Sequence, residues 1–103
     1  MRIRVRRVGG IAGNIALAAE LETAGLPPDD AARLEEVVAG LPWGAEAGVP
    51  PHPDAFRYEI EVPDEPHRGT AVLQESALTG GLTPLRDQLQ RTGVVEPAHR
   101  RPG

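Results

Sequence analysis

Two stretches of alternating apolar and charged residues lie on either side of a glycine-rich segment near the N-terminus. Residues 1–7 read MRIRVRR and residues 15–22 read IALAAELE, and in both the apolar side chains recur at every second position. This period of two is typical of strands with one buried face. A one-residue shift in the pairing of two such strands would turn the apolar side chains to water, so the pattern constrains the register as well as the fold.

One antiparallel register satisfies both faces of these two strands. The predicted cross-strand pairs are Arg2 with Glu22, Ile3 with Leu21, Arg4 with Glu20 and Val5 with Ala19. Each exposed pair of opposite charges contributes about 0.2 to 1 kcal/mol. Pairing with glutamates therefore accounts for these arginines without binding to nucleic acid. In this register, residues 9–14, GGIAGN, form the connection at the tip of a β-hairpin.

The middle of the chain predicts a helix, a loop and two further strands. Pro28, followed by two aspartates, begins a helix that Gly40 and Pro42 end,. Residues 45–54 are rich in glycine and proline and predict an extended surface loop. Residues 56–62, FRYEIEV, alternate as a strand, and residues 70–74 predict the strand that returns beside it.

The last predicted element is a short helix. Thr83 is expected to be its N-cap, with Pro84 at the first helical position and Gly93 after its end,. The element order ββαββα then indicates an α+β fold, with a four-stranded, mainly antiparallel sheet and both helices on one face. Residues 1–93 are expected to form a single domain. Residues 94–103 have no sustained apolar period and predict a disordered tail that contributes little to stability.

The residue types that carry enzyme chemistry are sparse and scattered. The chain has no cysteine, and its three histidines, His52, His67 and His99, fall in a proline-rich loop, a turn and the tail. Neither a metal-binding motif nor a strained turn that would present a nucleophilic serine occurs. We therefore expect no catalytic residue, no bound metal, no cofactor and no enzymatic activity.

Charge and hydropathy narrow the class of partner. A net charge of −4 disfavours generic binding to nucleic acid, which needs clustered cations,. No stretch approaches the roughly 20 apolar residues of a membrane span. The N-terminus has the arginines of a secretory signal, but Asn14 and the glycines interrupt its apolar region. We expect a cytoplasmic monomer whose partner is another protein.

The segment from Gly9 to Ile15 is the candidate binding site, and three interpretations apply to it. A phosphate-binding loop would carry a lysine and lead into a helix, whereas this segment leads into a strand. A GXXG clamp for RNA joins two helices, which the predicted hairpin lacks. A plain hairpin connection explains the glycines, but its tip would normally be polar. The candidate residues are Gly9, Gly10, Ile11, Ala12, Gly13, Asn14 and Ile15.

Several segments together resemble the emfourin family of small proteins that inhibit protealysin and related thermolysin-like metalloproteases. They are IRVRRVGGIAG, AAELETAGLPPDDAARLEEVV, FRYEIEV and LTPLRDQL, and they span about residues 1–89. The most specific part is a strand followed by two glycines, an apolar residue and alanine. Ile11 stands where the family pattern has an aromatic residue, and Asn14-Ile15 stands where it has an apolar residue followed by proline.

The resemblance implies a thermolysin-like metalloprotease as the partner. Such enzymes bind a bulky apolar side chain beside the catalytic zinc, and Ile11 or Ile15 would fill that pocket as a substrate mimic. Gly9, Gly10 and Gly13 would allow the backbone to enter the cleft. The alternatives are an interaction module that does not inhibit, such as a chaperone or processing partner of a protease, and a small hydrolase.

Overall fold

The described part of the chain contains five strands and two helices, apart from short 3-10 turns. The computed structural model describes residues 1–9, 15–44, 56–74 and 79–97. The elements are β1 (Arg2–Gly9), β2 (Ile15–Glu22), α1 (Pro28–Ala39), β3 (Phe56–Glu61), β4 (Ala71–Gln74), α2 (Thr83–Thr92) and β5 (Val94–Pro97). The loop predicted at 45–54 and residues 98–103 lie outside the described residues.

The five strands form one antiparallel sheet in the order β4-β3-β1-β2-β5. The N-terminal strand therefore lies at the centre, and the last strand forms an edge. The α+β class and the antiparallel sheet are confirmed, but the prediction of four strands and the order ββαββα are wrong. The additional strand, β5, occupies residues 94–97 of the segment that was predicted to be a disordered tail.

There is a physical reason why the fifth strand was not predicted from the sequence. Its two valines are 66% and 63% exposed, so they bury little apolar surface that a periodic pattern could reveal. It is held instead by backbone pairing with β2 and by the carboxylate of Glu96, which accepts hydrogen bonds from two arginines of β1. Such contacts depend on the position of β2 and β1 and leave no local signature.

The predicted register of the first hairpin is confirmed at all four pairs. Arg2 lies opposite Glu22, Ile3 opposite Leu21, Arg4 opposite Glu20 and Val5 opposite Ala19. The pairing continues to Val8 opposite Ala16, next to the glycine-rich segment. The pattern was sufficient to predict the register because only one register buries the apolar side chains on one face and pairs opposite charges on the other.

Both helices contribute to the main apolar core with one face of the sheet. Its fully buried members include Ile3, Val5, Leu34, Val38, Ile60 and Leu85. The indole Nε1 of Trp43 donates a hydrogen bond of 2.9 Å to the Val38 carbonyl and closes the end of α1. Thr83, predicted to be an N-cap, is the first residue of α2 and makes no capping hydrogen bond.

Leu17 of β2 is less buried than the core residues farther from the hairpin connection, but it still packs against the core. The rows of Ile3 with Leu21 and Val5 with Ala19 are buried under the helices, whereas Leu17, one row nearer the hairpin connection, is only partly buried. Among the residues that the structure describes, neither helix has the length and apolar character needed to cross a membrane.

Candidate functional site

The candidate binding segment joins the adjacent strands β1 and β2 at the end of the hairpin. β2 begins at Ile15, as the sequence predicted, whereas β1 continues to Gly9, which was predicted to belong to the connection. The other five candidate residues, Gly10, Ile11, Ala12, Gly13 and Asn14, lie outside the described residues. The structure therefore defines the base from which the segment emerges.

Gly9 leaves β1 with a backbone conformation that favours glycine. Its φ is 104°, a value that residues with a side chain rarely adopt,. Only glycine populates this region without a steric cost from a Cβ atom. A residue with a side chain at this position would therefore be strained.

Replacing Gly9 with alanine should destabilise the protein by about 1 to 3 kcal/mol, because a Cβ atom would have to occupy this strained region. Thermal melts measure the effect. The matched control is Gly25→Ala, since Gly25 has no positive φ and no atom within 4 Å of an added Cβ. Equal melting temperatures for the two variants would show that a side chain at residue 9 causes no backbone strain.

A cluster of ion pairs braces the base of the segment on the face of the sheet opposite the helices. Arg6 of β1 is only 4% exposed. Its Nη1 donates to Oε1 of Glu59 on β3 at 2.6 Å, and its Nε donates to Oε1 of Glu96 on β5 at 2.7 Å. Arg4 Nη2 lies 2.7 and 2.8 Å from the two oxygens of Glu96. We call these four side chains the arginine cluster.

Small residues on β2 make room for the arginine cluster. Ala16 and Ala18 are buried and lie on the same face as Arg6, between β1 and β5. A methyl side chain there allows the long arginine side chains to cross β2 and reach Glu96 two strands away. The cluster thereby connects β3, β1 and β5 across the sheet.

The arginines determine the ionisation of Glu96. Partial burial opposes its charge, but the hydrogen bonds and positive charges of Arg4 and Arg6 outweigh that effect and hold the pKa of Glu96 below its ordinary value,. Glu96 therefore remains a carboxylate at neutral pH, which is the form that accepts these bonds.

An aromatic and a basic side chain lie beside the candidate segment on the helical face. Phe56 of β3 pairs with Gly9, and the Arg7 guanidinium lies 4.7 Å from the centroid of the Phe56 ring. A cation over an aromatic face is attracted by about 0.5 to 1 kcal/mol at exposed sites. This contact links β1 and β3 next to the point where the chain enters the segment.

A family model whose description is Emfourin matches residues 5–90. The chain belongs to the emfourin family. The match includes the candidate segment and extends into α2, and it stops before β5. Separate comparisons with curated proteins and with solved structures gave no match.

Emfourin membership is consistent with a role as a protease inhibitor and favours a protease as the partner. The geometry is compatible with such a role, because the candidate segment joins β1 and β2 at one end of the sheet. In the described ranges, no group of three or more metal-binding side chains occurs.

Two features of this emfourin next to the candidate segment were not predicted from the sequence. They are the contribution of Glu96 and the burial of Arg6. One signal was present, since the predicted register places Arg6 opposite Ala18 with no acid facing it. A buried charge needs a partner. The partners, Glu59 and Glu96, come from strands that lie 53 and 90 residues further along the chain.

Proposed function

We propose that this protein inhibits thermolysin-like zinc metalloproteases by inserting the segment from Gly9 to Ile15 into the active-site cleft. The observation that carries the proposal is the emfourin match, which spans this segment. Ile11 or Ile15 supplies the apolar side chain that fills the pocket beside the catalytic zinc of the target. The zinc belongs to the protease, so the inhibitor needs no metal of its own.

The base of the segment suits it to this role. Inhibitors lose less conformational entropy on binding when the contacting loop is already ordered. Gly9 supplies the positive φ with which β1 ends, while the arginine cluster and the contact between Arg7 and Phe56 join neighbouring strands on the two faces of the sheet. A firm base with apolar residues among glycines supports insertion into a cleft better than it supports catalysis by the chain itself.

Titration against a purified thermolysin-like metalloprotease tests the proposal. We expect competitive inhibition that is reversed on dilution, and no inhibition of a serine protease measured in parallel. A small ligand that occupies the catalytic zinc should prevent the complex from forming. Intact inhibitor recovered after long incubation would exclude simple competition by a substrate.

Two results would contradict the proposal. Absence of both binding and inhibition would remove the metalloprotease as a partner. Binding that leaves the protease fully active would favour the alternative, a non-inhibitory interaction module. The cytoplasmic location and the monomeric state stay predictions of the sequence, and light scattering of the free protein measures the second.

A further inference from the structure

Strand β5 pairs with the part of β2 that leads out of the binding segment. Ile15 lies opposite Pro97, and Ala16 lies opposite Glu96. The pairing ends with Ala18 opposite Val94. The first three residues after the segment, Ala16 to Ala18, are therefore held between β1 on one side and β5 on the other.

The backbone amides of β2 point alternately toward β1 and toward β5. Thr23 N donates to Met1 O at 2.9 Å, which makes this a hydrogen-bonded pair of the ladder with β1. Because bonding alternates along an antiparallel pair, the amides of Leu17 and Ala19 face β1, and those of Ala16 and Ala18 face β5. On the same outer edge, the Glu20 carbonyl accepts a 3.2 Å hydrogen bond from Gln88 of α2.

Side-chain contacts then connect β5 to β1 across β2. Glu96 accepts hydrogen bonds from Arg4 and Arg6, while Val94 and Val95 remain mostly exposed. In the described part of the chain, the two valines of β5 bury little apolar surface, and the contacts that attach this strand are the backbone ladder with β2 and the hydrogen bonds to the Glu96 carboxylate. Loss of the carboxylate would free the edge of β2 next to the binding segment.

We propose that β5 is a clamp for the binding segment and that Glu96 is a positioning residue within it. By holding β2 against β1, the clamp limits the directions in which the segment can leave the sheet. The emfourin match stops at residue 90, so the clamp lies outside the part of the chain that the family model describes. Its effect on inhibition rests on the proposed function, whereas its effect on β2 does not.

Amide hydrogen exchange of the full-length variant Glu96→Gln tests the clamp. Local opening of β5 should accelerate the exchange of the Ala16 and Ala18 amides by roughly tenfold or more, since charged hydrogen bonds are lost. The amides of Leu17 and Ala19 should change by less than about twofold, because their partners are on β1. Equal acceleration at all four amides would indicate global destabilisation and overturn the inference, as would unchanged exchange.

Glu20→Gln is the matched control. Its carboxylate is 51% exposed and lies 4.0 Å from the same Arg4, but it is not on β5. We expect the parent exchange pattern for this variant. Glu96→Asp, which keeps the charge on a shorter side chain, should restore part of the protection of Ala16 and Ala18. Equal effects of Glu20→Gln and Glu96→Gln would contradict a specific role for Glu96.

Inhibition constants of the same variants measure the functional consequence. Glu96→Gln should weaken inhibition by about three- to tenfold because β2 is held less firmly where the segment joins it, while Glu20→Gln should stay within about twofold of the parent. Selective exchange at Ala16 and Ala18 with unchanged inhibition would overturn the positioning role. A parent protein that inhibits no thermolysin-like protease would contradict the proposed function alone, and the exchange pattern would still decide whether β5 holds β2.

Discussion

Replacing Ile11 with alanine should raise the inhibition constant toward a thermolysin-like metalloprotease by roughly thirtyfold or more, and Ile15→Ala is the parallel variant for the second candidate anchor. Truncating an apolar side chain that fills a pocket at the centre of an interface costs about 2 kcal/mol or more, which corresponds to this factor. The larger of the two effects identifies the anchor. Inhibition constants should be measured together with melting temperatures.

The melting temperatures separate binding from folding. β2 begins at Ile15, so Ile15→Ala should affect stability more than Ile11→Ala does. His67→Ala is a suitable control, because His67 is exposed in the turn after β3, at the end of the sheet away from the hairpin connection. If both isoleucine variants inhibit as strongly as the parent, the segment is only a connector and the partner binds elsewhere.

Replacing Arg6 with alanine should lower the free energy of unfolding by about 3 kcal/mol at neutral pH. The substitution removes a buried cation and leaves Glu59 and Glu96 without a charge that both contact. Removal of one partner from a buried ion pair is costly because the remaining charge is still desolvated. Arg2→Ala is the matched control on the same strand and face, since Arg2 is exposed, and its cost should be below about 0.5 kcal/mol,. Urea unfolding measures both.

Acidification provides a second test of the Arg6 prediction. Because the pKa of Glu96 is lowered in the folded protein, its stabilising contribution is complete above the ordinary glutamate pKa of about 4.3 and is lost as the pH falls through the lowered value,. Arg6→Ala has already lost the part of that contribution that comes from Arg6, while Arg4 retains the rest. The difference in stability between parent and variant should therefore shrink from pH 6 to pH 3, and a constant difference would assign the loss to packing alone.

The elements that were predictable from the sequence are those specified by residues that lie close together in the chain. The register of β1 with β2 followed from apolar residues on one face and opposite charges on the other, and the structure confirms each pair. The start of α1 at Pro28 followed from a proline whose missing amide hydrogen costs nothing there,. In both cases the information lies within about twenty residues of sequence.

The features that escaped prediction depend on contacts between distant segments. Nothing near Glu96 indicates that its carboxylate meets Arg6, and the two neighbouring valines do not alternate as a half-buried strand would. The alternation of β1 suggested that Arg6 is exposed. In the folded protein it is buried, and its hydrogen bonds to Glu59 and Glu96 compensate for the loss of hydration. The candidate segment itself was found because its apolar residues conflict with the usual composition of a hairpin tip.

The central position of β1 also sets an order of events during synthesis on the ribosome. β1 is made first, yet its second neighbour begins only at Phe56, and the carboxylate of Glu96 that meets Arg6 follows 90 residues behind it. Non-local pairing of this kind slows folding, because the loop entropy is lost before the contacts form. A nascent chain therefore contains β1 and β2 long before Arg6 can pair with Glu96. The complete arginine cluster forms only after β5 has left the ribosome.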